Sequence, residues 1–156
     1  MTADGVARNA RLTGRAGMVL LVLFAAEVVT VILGVKHVLT AHAVIGFLIA
    51  PVVVVKIAST GWRMVRYYRG DRAYRARGAP PRRLRVLGPV LIALTVTLLA
   101  SGLVAYLGPQ ALHAVALKTH KVSFYPWLAV VLYHVVAHVG EAVKAFGKER
   151  AGKLGS

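Results

Sequence analysis

The 156-residue chain contains no cysteine. That absence excludes disulfides, thiolate-held metal sites and covalent c-type haem attachment. Acidic residues are nearly as scarce, five Asp and Glu against twenty Lys and Arg, for a formal charge of +15. No Ser-His-Asp arrangement has a credible acid, and neither a phosphate-cradling glycine loop nor a metal-hydrolase motif is present. What the chain has instead is apolar surface. Hydrophobic residues make up 58% of it, and the mean hydropathy is +0.67. A soluble domain of this size cannot hide that much, so the composition points to an integral membrane protein with room for one domain.

A helical span needs roughly 20 predominantly apolar residues. Four windows meet this, at about 16–38, 41–65, 86–107 and 122–146. The expected fold is therefore all-α, a four-transmembrane-helix bundle forming a single membrane domain over residues 1–156. The stretch from Gly17 to Val35 is too long for a secretory h-region, and no clean small-residue cleavage site follows it. It is expected to be kept as the first span. No internal repeat is evident.

Charge placement sets an orientation. The N-terminal segment carries Arg8, Arg11 and Arg15, and the connector between spans two and three carries nine arginines from Arg63 to Arg85. The tail adds Lys144, Lys148, Arg150 and Lys153, which brings these three segments to sixteen of the twenty basic residues. The positive-inside rule then puts both termini and the connector in the cytoplasm, as an even number of spans requires. The connector, RMVRYYRGDRAYRARGAPPRRLR, interleaves arginine with tyrosine in a way that suits a nucleic-acid backbone. Flanked by two spans, it is expected to lie at anionic lipid headgroups instead, with no nucleic-acid partner. Pro80 and Pro81 mark a turn before span three.

The six histidines are the candidate chemistry. His37 and His42 bracket the first outer turn, His113 and His120 lie in the second outer segment, and His134 and His138 lie inside span four. His42 and Lys56 are fourteen residues apart, and so are His120 and His134. At 3.5 residues per turn, fourteen residues return to the same helix face after four turns, about 21 Å along the axis. Under the orientation above, spans two and four run in the same direction. His42 then matches His120 near the outer surface, and Lys56 matches His134 at a deeper level.

This pattern resembles the diheme b-type cytochromes, and in particular the small four-span cytochrome b membrane proteins of bacteria. The resemblance covers most of the chain. It is carried by AHAVIGF around His42, STGWRMVRYYRGDRAYR after span two and LKTHKVSFYPW around His120. It implies two b-type haems (haem B), with His42 and His120 on the outer iron and Lys56 and His134 on the inner one. It also implies transmembrane electron transfer in a bacterial inner (cytoplasmic) membrane, with the quinone pool or a periplasmic oxidoreductase as redox partner. The chain would be an electron carrier or an oxidoreductase's membrane subunit rather than a catalyst by itself.

Lys56 departs from the family pattern, which has histidine at that level. A lysine must shed its ammonium proton to offer iron a lone pair, and iron competes with that proton. Ligation would also remove the cost of charge in lipid.

Other readings remain open. Lys56 can pair with Glu27, the single acid in the first three spans, across a depth mismatch of about 9 Å, or snorkel to the cytoplasmic headgroups. His138 rivals His134 as inner ligand, because eighteen residues from His120 also return to one face of a straight helix. The His134–His138 spacing suits a metal pair as well. Pro51 and Pro126 are expected to open the backbone ladder locally, and a kink at Pro126 would disturb the fourteen-residue spacing. The rival function is a haem-free four-helix membrane transporter or assembly factor built on a Glu27/Lys56 intramembrane polar pair.

Overall fold

Gly34 ends the first helix. Its φ of 84° lies in the left-handed region, where only a residue without Cβ sits at no cost. The preceding N–H groups close the helix end, Leu33 donating to the Val29 carbonyl at 2.9 Å and Gly34 to that of Val31 at 3.1 Å. In this computed structural model α1 is Ala3–Ile32, followed by a 3-10 turn at Val35–His37 and by α2, Leu39–Tyr68. The short α3 is Arg72–Ala76, α4 is Arg82–Leu107 and α5 is Gln110–Leu154. The backbone is described for residues 3–76, 78 and 82–154, and the side chains for residues 4–76, 78 and 85–138. The described residues contain no strand.

The helices group into two units, Met1–Pro80 and Pro81–Ser156. In the first, α1 packs on α2 as an antiparallel hairpin, and α3 packs against both. The first expected span reached Val38, but Gly34 stops the helix at Ile32 and the next residues form the turn. α2 carries Pro51 in its interior without interruption and continues past the expected span to Tyr68. There Gly70, at φ 85°, reverses the chain. Asp71 then starts α3: its Oδ1 accepts the Ala73 N–H at 3.1 Å, the Asx pattern that satisfies an orphan helix donor. Tyr74, 1% exposed, anchors α3, and Arg66 stacks over Trp62 at 4.6 Å. Part of the arginine-rich connector is thus helical and folded back. Pro80 and Pro81 lie outside the described residues.

In the second unit α4 and α5 form another antiparallel hairpin, joined through Gly108 and Pro109. A Cβ at Gly108 would collide with the Val104 carbonyl oxygen, so glycine is needed at this reversal. The segment 108–121, expected as a semi-polar lead-in, is mostly the first turns of α5. Trp127, 2% exposed, donates its indole N–H to Thr95 Oγ1 at 3.0 Å and fixes α5 against α4. Thr95 in turn donates to the Leu91 carbonyl at 2.7 Å. α5 also runs through its interior proline, Pro126.

Among the described residues, three helices are long and apolar enough to cross a membrane: Asp4–Ile32, Leu39–Tyr68 and Arg85–Leu107. The expected fourth span, 122–146, extends past His138 into residues whose side chains are not described. Large apolar side chains face outward along these helices, Met18 at 69%, Val22 at 68% and Val54 at 65% exposure among them, while Thr30, Ser59, Thr95, Ser101 and Ser123 are buried. The buried hydroxyls bond to carbonyls of their own helices, as Ser101 does to that of Thr97 at 2.6 Å. Apolar groups outside and satisfied polar groups inside suit a solvent of lipid rather than water.

Candidate functional site

Two polar sites lie along the α1–α2 seam of the first unit. The upper one joins His42 on α2 to Glu27 and Thr30 on α1. His42 Nδ1 is 2.8 Å from Thr30 Oγ1 and 3.2 Å from Glu27 Oε1, and the His42 and Glu27 side chains are each 17% accessible. The hydroxyl decides the histidine tautomer. Thr30 has one hydroxyl proton, and it goes to the Glu27 backbone carbonyl at 2.6 Å. Towards the ring, Thr30 can only accept. His42 Nδ1 therefore carries the hydrogen, and in the neutral ring Nε2 holds the lone pair.

The lower site belongs to Lys56. Its Nζ donates to the Thr13 backbone carbonyl at 2.8 Å. Close approach is possible because α1 has glycine opposite it: a Cβ at Gly17 would lie 2.8 Å from Nζ. Below, Asn9 Nδ2 donates to the Ser59 carbonyl at 3.0 Å.

This geometry rules against the alternative Glu27/Lys56 pair. Lys56 reaches α1 at Thr13, fourteen residues from Glu27, or roughly 21 Å along the helix. Glu27 pairs with His42 instead. In an antiparallel hairpin, residues equidistant from the turn meet, and the depth mismatch was too long for side chains to bridge when nearer partners existed.

The second unit holds His120 on α5. Its Nδ1 donates to the Leu98 carbonyl of α4 at 2.8 Å. A carbonyl oxygen can only accept, so His120 also has its hydrogen on Nδ1 and its lone pair on Nε2. Ser123 Oγ donates to the His120 carbonyl at 3.2 Å. The ring packs against Gly102 of α4, where a Cβ would sit 2.8 Å from Cε1 and 2.9 Å from Nδ1. His113, which is exposed, repeats the pattern one level outward, donating from Nδ1 to the Ala105 carbonyl at 2.9 Å. His37 is likewise exposed.

His134 and His138 meet edge to face, with ring centroids 4.5 Å apart. His134 is partly buried and His138 exposed. No group of three or more His, Asp or Glu able to hold a metal ion occurs among the described residues. A haem iron asks the protein for only one or two axial donors.

Sequence reasoning singled out His42, Lys56 and His120 but missed what orients them. Thr30 lies one turn from Glu27 on the same face, and that spacing was a usable signal. The carbonyls of Thr13 and Leu98 carry none, because every residue has one.

The Gly102 contact has a measurable effect. Gly102→Ala is expected to push the His120 ring from the Leu98 carbonyl and to lower stability by about 1–3 kcal/mol, the usual cost of overpacking. Gly14→Ala, where an added Cβ meets nothing within 4 Å, is expected to be neutral or stabilising by up to about 1 kcal/mol. Unfolding in detergent distinguishes the two, and equal stabilities would deny the close approach.

The chain matches no family model, no curated protein and no solved structure.

Proposed function

We propose that the chain is a diheme b-type cytochrome carrying electrons across a bacterial cytoplasmic membrane, with four spans and both termini on the cytoplasmic side. The observation that carries this reading is the shared tautomer of His42 and His120. Each ring gives its Nδ1 hydrogen to a neighbouring helix and keeps its lone pair on Nε2. Metal-ligating histidines have this second-shell arrangement, the far N–H held by a carboxylate, hydroxyl or carbonyl so that the ring presents one nitrogen in a fixed direction.

In this reading His42 and His120 hold the outer haem iron. Lys56 and His134 hold the inner one, with His138 as alternative to His134. The assignment rests on the equal spacing of the two pairs in the sequence. α2 and α5 support that spacing because both remain helical through Pro51 and Pro126. Lys56 fits if its amine is neutral. One N–H then goes to Thr13 and the nitrogen lone pair is available to iron. A bound haem supplies one-electron exchange between ferric and ferrous iron. The chain's own residues orient the ligands, keep water away with apolar side chains and set the potentials. A quinone or a periplasmic oxidoreductase would exchange electrons with it, and the arginine-rich connector would rest on anionic lipid.

The test is the haem-to-protein ratio of the purified chain after haem-supplemented expression. The expected value is two non-covalent haems per chain, with a b-type Soret band and a reduced α band. A colourless protein would overturn the reading in favour of a haem-free transporter or assembly factor. The polar α1–α2 seam favours that rival, now as two separate sites rather than a Glu27/Lys56 pair.

A further inference from the structure

We infer that Glu27 is a positioning residue that lowers the redox potential of the haem held by His42. The inference rests on the cytochrome reading and adds to it an electronic asymmetry between the two outer ligands. The His42 Nδ1–H group faces the Glu27 carboxylate at 3.2 Å, together with the Thr30 hydroxyl at 2.8 Å. The corresponding group of His120 donates to a neutral peptide carbonyl, that of Leu98.

The two acceptors differ in kind. Hydrogen bonds to an ionised acceptor are roughly twice as strong as neutral ones, and a low-dielectric setting strengthens them further. A carboxylate drawing on Nδ1–H pushes electron density onto Nε2 and gives the ring imidazolate character. A more basic ligand favours ferric over ferrous iron and lowers the potential.

The site also shows how this pull is moderated. Thr30 Oγ1 is the nearer acceptor for the same hydrogen, and its own proton is held by the Glu27 carbonyl at 2.6 Å. Thr30 thus shares the histidine hydrogen with the carboxylate. Gly46 of α2 completes the seat: a Cβ there would lie 3.6 Å from Glu27 Oε1, at ordinary contact distance. Glu27 Oε2 is buried without a hydrogen-bond partner among the described residues. When ionised, the carboxylate acts on the ring of His42, 3.2 Å from Oε1.

Two substitutions with opposite expected signs test this. Glu27→Gln keeps an amide oxygen to accept from Nδ1 but removes the charge. Thr30→Val removes the competing acceptor and leaves the carboxylate. The readouts are haem content and a potentiometric titration of the whole purified chain at one fixed pH. Both variants are expected to retain two haems. Glu27→Gln should raise one midpoint potential by about tenfold in the ferric/ferrous equilibrium, about 59 mV for one electron, and leave the other haem unchanged. Thr30→Val should lower that same potential.

Two haems with unchanged potentials in both variants would overturn the role of Glu27 and leave the cytochrome reading standing. Wild-type protein without haem would overturn that reading itself. Should Glu27→Gln lose the outer haem, Thr30→Val decides alone: a lowered potential supports the inference, and an unchanged or raised one overturns it.

Discussion

His120→Ala is expected to reduce bound haem from two per chain to one. The ring is partly buried on α5 and held by the Leu98 carbonyl at 2.8 Å, with Gly102 leaving space for it. Alanine removes the donor nitrogen and leaves a void in place of the ring. His113, the next histidine towards the start of α5, is seven residues earlier, about 10 Å along the helix. His42→Ala should give the same single-haem protein, because the proposal assigns both residues to one iron. Far-ultraviolet circular dichroism should remain helical in both variants, since neither change touches a backbone bond. Retention of two haems in either variant would separate His42 from His120 and end the outer-site assignment.

Lys56→Met is expected to alter the other haem and spare the first. Methionine keeps the length and apolar stem of lysine but offers iron a thioether, which has no hydrogen to give Thr13. The substitution therefore removes the amine's proposed place on iron together with the tie from α2 to the α1 backbone. They are separable by measurement. If Lys56 were only a tie, both haems would persist unchanged and the loss would be about 1–3 kcal/mol of hairpin stability. If it ligates, one haem changes its spectrum and potential while the outer haem keeps both. Lys56→His offers a complement: it restores the residue type that the resembling family has at this level, and it should retain two haems with an altered spectrum for one.

Much of the architecture was legible in the sequence, and the boundary misses have physical causes. Hydropathy located the apolar helices because lipid-facing positions must be apolar along their whole length. It could not locate where helices stop, since Val35 and Val38 are as apolar as the residues before them. Gly34 decides that end through its backbone conformation. The polar stretch after Gly108 read as a lead-in, yet α5 begins at Gln110, because a helix tolerates Lys118 and Lys121 on an exposed side.

The site was legible in part. Histidine and lysine stand out in an apolar chain, so His42, Lys56 and His120 were found by type and spacing. Their partners depend on the register of each hairpin, which a short turn fixes to within a residue or two. Without that register the one partner considered for Glu27 among the cations was Lys56, although its partner in the hairpin, His42, was among the singled-out residues. The pairing of Lys56 with a main-chain oxygen could not be read at all, because it depends on the absence of a side chain at Gly17.

Both hairpins reverse in a handful of residues, one around Gly34 and the other at Gly108 and Pro109. Strings so short cannot fold over a helix tip to make a flap. A redox protein arriving at either tip would therefore find no moving cover to open. It would meet rim residues such as Lys36 and His37 on one hairpin and His113 on the other, so its grip there would depend on a few charges and on how salty the medium is.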